Sequence, residues 1–274
     1  MSAERLAGTA LLDALESGEV RVAEREADGR WIVHAWIKEE ILHIFRSSPV
    51  VAHGNEATRQ LWPFVDKDLL PVRHIHPAMG VRLVPGGSAV RRGAYLAPGV
   101  VCMPPMYVNV GAWVGQGTMI DSHALVGSCA QIGERVHLSA AAQVGGVLEP
   151  AGARPVIVED GAFVGGNAGL YEGVLVGAGA VIAAGVVLTA TTPVFDLVRE
   201  RELRGTREAP LSIPARAVVV PGTRPANGNF ARERGLQVGC ALIVKYRDER
   251  TDAATALEGA LRGEAAPVPG RRPR

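Results

Sequence analysis

A period of six restricts this chain more than any other feature. From Ala94 the sequence divides without a gap into AYLAPG, VVCMPP, MYVNVG, AWVGQG, TMIDSH, ALVGSC, AQIGER, VHLSAA and AQVGGV. The third place of each block is apolar: Leu96, Cys102, Val108, Val114, Ile120, Val126, Ile132, Leu138 and Val144. Two places earlier stands a small or apolar residue, and one place later a turn former such as Asn109, Gly115, Asp121, Gly127, Gly133 or Gly145. After an interruption the phase returns at Val158, Val164, Leu170, Val176, Ile182 and Leu188, and after a second, 189 to about 212, at Ile213 and Val219. Nine, six and two blocks make seventeen.

A strand alternates sides with period two, so the small and the aliphatic residue point inward and the one between them points out. The Gly, Asn or Asp that follows is expected to turn the chain, since those types tolerate positive φ. Strand, turn, strand at this spacing winds a parallel β-helix lined by stacked aliphatics. Leu96, Val108, Val114, Ile120, Val126, Ile132, Leu138 and Val144 are predicted to face inward.

Composition agrees with such a core. Thirty-three glycines and 18 prolines stand against 13 aromatic residues in 274, so the interior must be built from Val, Ile, Leu and Ala. The net charge is +1, but three arginines lie in the last four residues, and residues 1–270 carry 26 basic against 28 acidic side chains. That leaves no basic footprint for nucleic acid. Three scattered cysteines and an N-terminus without an apolar signal block predict a reducing, cytoplasmic setting. Residues 173–195 are uncharged for 23 positions, long enough for a membrane span, yet the period of six runs through them, and no membrane partner is expected.

Before the repeat, Leu6, Leu11, Leu12 and Leu15 mark a helix, RVAEREADGRWIVHAW a hairpin turning at Asp28-Gly29, and IKEEILHIFR a second helix. Residues 51–80 look irregular. After the repeat, GCALIVKYRD reads as a strand and AATALEGALR as a closing helix. The domains expected are 1–80, an N-terminal α/β domain; 81–222, the β-helix; 223–262, a C-terminal extension; and 263–274, a disordered tail.

Metal is not expected. Ligands on adjacent coils need spacings near 18, and His123 and His137 are 14 apart, while His74 and His76 form a lone pair in RHIHP. Ser128-Cys129 suggests a nucleophile, but a cysteine at a repeat corner is more often packing. The informative residues break the grammar: Asp121 where Gly is usual, Asn109 beside Tyr107, Glu172 between Tyr171 and Gly173, Arg82 ahead of the coils, and Lys245, one of three lysines. Each also has a plain reading, as a turn former or a solvated side chain.

The strings MYVNVGAWVGQGTMIDSHALVGSCAQIGERVHLS, GGVLEP and VIVEDGAFVGG closely resemble the tetrahydrodipicolinate N-succinyltransferase family, and the likeness extends over about residues 15–50 and 78–246. The resemblance implies a left-handed β-helix with three blocks per coil, hence between five and six coils, assembled as a homotrimer with active sites between neighbours. It implies succinyl-CoA as co-substrate, no permanently bound cofactor, and the amine of ring-hydrated tetrahydrodipicolinate as acceptor. It also implies that Arg82 and Asp121 contact the acceptor, with Asn109 as a further substrate-binding candidate. Asp121 and Glu172 are the catalytic candidates, and Gly165, Ala184 and Lys245 those for acyl-CoA.

This chemistry is reasonable for the residue types. A guanidinium pairs bidentately with a carboxylate, a carboxylate can take the amine's proton, and Gly-rich corners can offer N–H groups to a thioester oxygen. Two departures from the family stand out: Gly169 replaces a Glu to which the family gives a catalytic part, and Ala140-Ala141 replace a glycine pair. The competing readings are the same scaffold with acetyl-CoA or another amino-acid or amino-sugar acceptor, a non-catalytic scaffold, and a sugar-nucleotide acyltransferase using His123 or His137 as base.

Overall fold

The computed structural model describes residues 6–61 and 64–248. Its centre is a left-handed parallel β-helix, a three-sided prism of two-residue strands. The inward residues of the first face are Leu83, Cys102, Ile120, Leu138, Val164, Ile182 and Val219. Those of the second run from Val90 through Val108, Val126, Val144 and Leu170 to Leu188, and of the third from Leu96 to Ile213. All but Leu83 are at most 3% exposed. The inward set predicted from the period of six is therefore the core, with each aliphatic stacked on its equivalent one coil away.

Two details differ from the sequence reading. Coiling begins at Arg82, ahead of the first regular six-residue block at Ala94: strands Arg82–Leu83 and Ala89–Val90 already pair in parallel with the coil above. Leu83 and Val90 are seven residues apart, which hides this coil from a strict six-residue register. The prism has six full coils and one further strand.

The second difference concerns the glycines. Positive φ falls two places later than expected, at Gly117, His123, Cys129, Arg135, Ala141, Gly161, Asn167, Gly179 and Gly185. Glycine follows the inward aliphatic for a steric reason instead. A Cβ on Gly115 would lie 2.5 Å from the Gly133 carbonyl, on Gly127 2.2 Å from Gly146 N, and on Gly177 2.5 Å from Ala215 N. At these corners adjacent coils approach so closely that only a hydrogen fits.

The N-terminal helices Gly8–Ser17 and Ala35–Ser47 bury Leu11, Leu12, Leu15, Ile37, Ile41 and Ile44 together, against Val110 and Cys129 of the edge between the second and third faces. The hairpin Ala23–Arg25 with Trp31–Val33 forms as expected and lies over the third face. There the Arg21 guanidinium sits 4.4 Å from the Trp113 ring centre and 5.3 Å from that of Trp31, and its Nε donates to Gln131 Oε1 at 2.6 Å. Burial lowers its pKa to about 10. The irregular stretch contains a two-strand pairing, Val50–Ala52 with Val65–Lys67, and a short helix, Glu56–Leu61.

The first interruption is a loop held from beneath by Lys38, fully buried, whose Nζ donates to the carbonyls of Ala153 and Pro150 at 2.9 and 3.4 Å. Desolvation pulls its pKa below the usual lysine value. The second interruption contributes the antiparallel pair Val194–Asp196 and Arg201–Leu203.

At the far end, strand Ala217–Pro225 runs through the expected boundary at 222 and pairs antiparallel with Gln237–Tyr246, extending the first-face sheet to ten strands. The expected closing helix and tail, 253–274, lie outside the described residues. No helix among the described residues is long and apolar enough to cross a membrane.

Candidate active site

The N-terminal segment covers the third face, and Val244 covers the top of the first by packing on Val181 and Val218. The edge between the first and second faces stays open. Along it stack four turns, 121–123, 139–141, 165–167 and 183–185. The first residue of each gives its N–H to the coil above, as Asp121 does to Leu138 O at 2.9 Å and Gly165 to Ile182 O at 2.7 Å. The third gives its N–H to the coil below, as Ala141 does to Ser122 O at 2.9 Å and Gly185 to Gly166 O at 3.0 Å. The middle residues, Ser122, Ala140, Gly166 and Ala184, have no acceptor among the described residues. The edge is thus a ladder of four free amides, roughly 4.8 Å apart by the spacing of paired strands.

Asp121 opens the lowest of these turns. Its Oδ2 lies 3.0 Å from His137 Nε2, with the two side chains 25% and 39% exposed. The His137 ring leans on Phe163 of the next coil, ring centres 5.1 Å apart. Arg82 projects from the same face, in register with Val101 and then Met119, two strand steps or about 10 Å away. It is exposed and its guanidinium has no partner among the described residues. Lys245 stands opposite Val218 at the other end of that face, five strand steps above Met119, about 24 Å. Gly165 N–H is already given to the coil above; a Cβ there would lie 2.5 Å from Ala184 N, so Gly165 acts by letting the coils close up. The free donors are those of Gly166 and Ala184.

Asn109 and Glu172 lie elsewhere. Both sit on the edge between the second and third faces. Asn109 Oδ1 accepts from Val110 N at 2.8 Å and from Tyr107 Oη and Arg91 Nη1, both at 3.4 Å. Glu172 Oε2 accepts from Ala190 N at 3.1 Å and so ties down the second interruption. Ile120 and Leu170 are seven strand-to-strand steps apart along the prism, one more than a whole number of three-strand coils, and that remainder moves Glu172 to the next edge. The same arithmetic can be done on the sequence.

Gly169 has a structural explanation. A Cβ there would meet Tyr171 Cε2 at 2.5 Å, and one on Gly145 would meet Tyr171 Cδ1 at 2.7 Å, so the Tyr171 ring fills the space a side chain at 169 would take. Cys129 is fully buried against the N-terminal helices and its thiol is pushed up to about 12 by burial, which removes it as a nucleophile. Among the described residues no group of three or more His, Cys, Asp or Glu is placed to hold a metal ion. The residue the sequence reading leaves out of the succinyltransferase site is His137, which it names only as a base for the sugar-nucleotide alternative. A signal for it exists: His137 follows Met119 by 18 residues and so lies one coil directly above, but a spacing of 18 draws notice only when both positions carry histidine.

A six-coil prism with a carboxylate, an imidazole and a ladder of free amides on one open edge defines an acyltransferase of the hexapeptide-repeat class. Residues 155–190 match the family described as "Hexapeptide repeat of succinyl-transferase", and residues 2–46 that described as "Tetrahydrodipicolinate N-succinyltransferase N-terminal". Three proteins named 2,3,4,5-tetrahydropyridine-2,6-dicarboxylate N-succinyltransferase are close relatives. That of Paramagnetospirillum magneticum is 45% identical, covering 92% of this chain and 88% of its own. Those of Nitrobacter hamburgensis and Bradyrhizobium diazoefficiens are 44% and 43% identical, covering 92% of this chain and 87% and 88% of theirs. The chain belongs to the tetrahydrodipicolinate N-succinyltransferase family.

Proposed function

We propose that this protein transfers the succinyl group of succinyl-CoA to the amine of ring-hydrated tetrahydrodipicolinate, whose added water supplies the oxo group when the ring opens, giving N-succinyl-2-amino-6-oxopimelate in the lysine and diaminopimelate pathway. The observation that carries the reading is that Arg82 lies on the first face, two strand steps below Met119, and Asp121 on the edge of that face at the foot of the amide ladder, in a chain 45% identical to a protein of that name. Arg82 pairs with an acceptor carboxylate, for which a free guanidinium is suited. Asp121 stands beside the bound amine, at the foot of the ladder. The N–H groups of Ser122 and Ala140 are the donors nearest to Asp121 for the oxygen that gains charge when the thioester is attacked. Those of Gly166 and Ala184 continue along the edge for the amides of the pantetheine arm, and Lys245 stands at the far end for the phosphates.

The reaction needs no permanently bound cofactor. The assembly is a cytoplasmic homotrimer. The first and second faces leave Val101, Met119, Phe163, Tyr107 and Leu125 half-buried and Val187 54% exposed, and such flat apolar strips are covered by association. Light scattering is expected to give three times the chain mass at micromolar concentration; a monomer refutes both the trimer and a site between subunits.

The functional test is a thiol-release assay crossing succinyl-CoA and acetyl-CoA with tetrahydrodipicolinate and a panel of amino acids and amino sugars. Turnover is expected with succinyl-CoA and tetrahydrodipicolinate. Faster turnover with acetyl-CoA, or with an acceptor lacking the second carboxylate, overturns the assignment.

A further inference from the structure

We infer that His137 is the general base of the acyl transfer and that Asp121 orients it. This rests on the acyltransferase reading above. The Nε2 contact to Asp121 Oδ2, 3.0 Å, fixes the imidazole with its N–H on Nε2, because a carboxylate only accepts. That leaves Nδ1 with a lone pair, and Nδ1 has no partner among the described residues. Phe163 supports one side of the ring, and the side chain is 39% exposed. A base in reach of solvent-borne substrate, held in one tautomer by a second group, is the arrangement that activates a nucleophile.

The charged groups around the imidazole are few. Asp121 faces it from the coil below. Met119 below, Phe163 and Val181 above are apolar, and Arg82 lies three strand steps down the same face. In the reaction the acceptor nitrogen attacks the thioester carbon, forming the N–C bond. Its proton passes to His137 Nδ1, the C–S bond breaks, and the imidazolium returns that proton to the departing CoA sulfur. The imidazolium is stabilised meanwhile by the Asp121 carboxylate.

The test uses full-length wild type, His137→Ala and His137→Gln on whichever donor–acceptor pair wild type turns over in the crossed assay. The identity of that pair judges the substrate assignment; the variants judge the base. His137→Ala is expected to lose about 10²- to 10⁴-fold in kcat with KM for the acyl-CoA changed less than about threefold. Added imidazole is expected to restore its rate at least about tenfold in proportion to concentration. His137→Gln keeps an amide N–H donor for Asp121 but no base, and is expected to be as slow as His137→Ala. If His137→Gln retains a third or more of the wild-type kcat, or imidazole rescues nothing, His137 is a spacer for Asp121 and the inference is wrong.

Discussion

Asp121→Asn is expected to keep the fold and the assembly and to lose about 10²- to 10⁴-fold of acyl transfer. Asparagine matches aspartate in size, and the turn that opens at position 121 is held by backbone hydrogen bonds, Asp121 N to Leu138 O and Ala141 N to Ser122 O, neither of which uses the carboxylate. What changes is the partner of His137. An amide can offer its N–H₂ to Nε2, which selects the opposite imidazole tautomer, and it carries no charge to stabilise an imidazolium. Glu172→Gln is expected to fall less than about fivefold, since a glutamine oxygen can still accept from Ala190 N and the residue lies on another edge. Steady-state kinetics on both variants, with circular dichroism to confirm folding, decide between them. A loss in Glu172→Gln equal to that in Asp121→Asn places the essential carboxylate at Glu172, supplied across the subunit interface.

Replacing Gly127 by alanine is expected to destabilise the protein by about 3 kcal/mol, the upper end of what overpacking a filled interior costs. The added methyl would stand 2.2 Å from Gly146 N and 2.6 Å from the Gly145 carbonyl carbon, and both are backbone of the coil above, unable to swing aside. The control is Gly161→Ala. Gly161 has φ +65° and nothing within 4 Å of the position a methyl would take, so its substitution carries only the left-handed backbone cost of about 1–2 kcal/mol. Thermal unfolding midpoints are expected to fall further for Gly127→Ala than for Gly161→Ala. The reverse order shows that the coils can part at Gly127 for less than the left-handed backbone costs at Gly161, and refutes the steric reason for the corner glycines.

That contrast marks one limit of the sequence. The amino-acid pattern alone set the period, the inward column from Leu96 to Val219, the two N-terminal helices and the hairpin between them. Each of these follows from residues near one another in the chain: a repeat of apolar residues every six, leucines on one helical face, and Asp28-Gly29 between two short strands. Local strings also point to Arg82 and Asp121, one on the first face and the other at the edge of that face. The reason for the corner glycines is not legible in this way, since a turn residue looks the same whether it is needed for its own φ or for the neighbour one coil away.

Tertiary structure alone decided what depends on which coil lies against which. It drew Arg82 into a first coil that a seven-residue step conceals, and it made the strand Gln237–Tyr246 continue the first-face sheet beyond the last coil. It seated Tyr171 across Gly145 and Gly169, residues 26 and two positions away, and put His137 against Asp121 at a separation of 16. An offset of 16 is no repeat of the period. It arises because one residue stands on a strand and the other on a corner, so the contact runs diagonally between coils. Stacking distance, close to about 4.8 Å per coil, is what turns such positions into neighbours, and no local propensity encodes it.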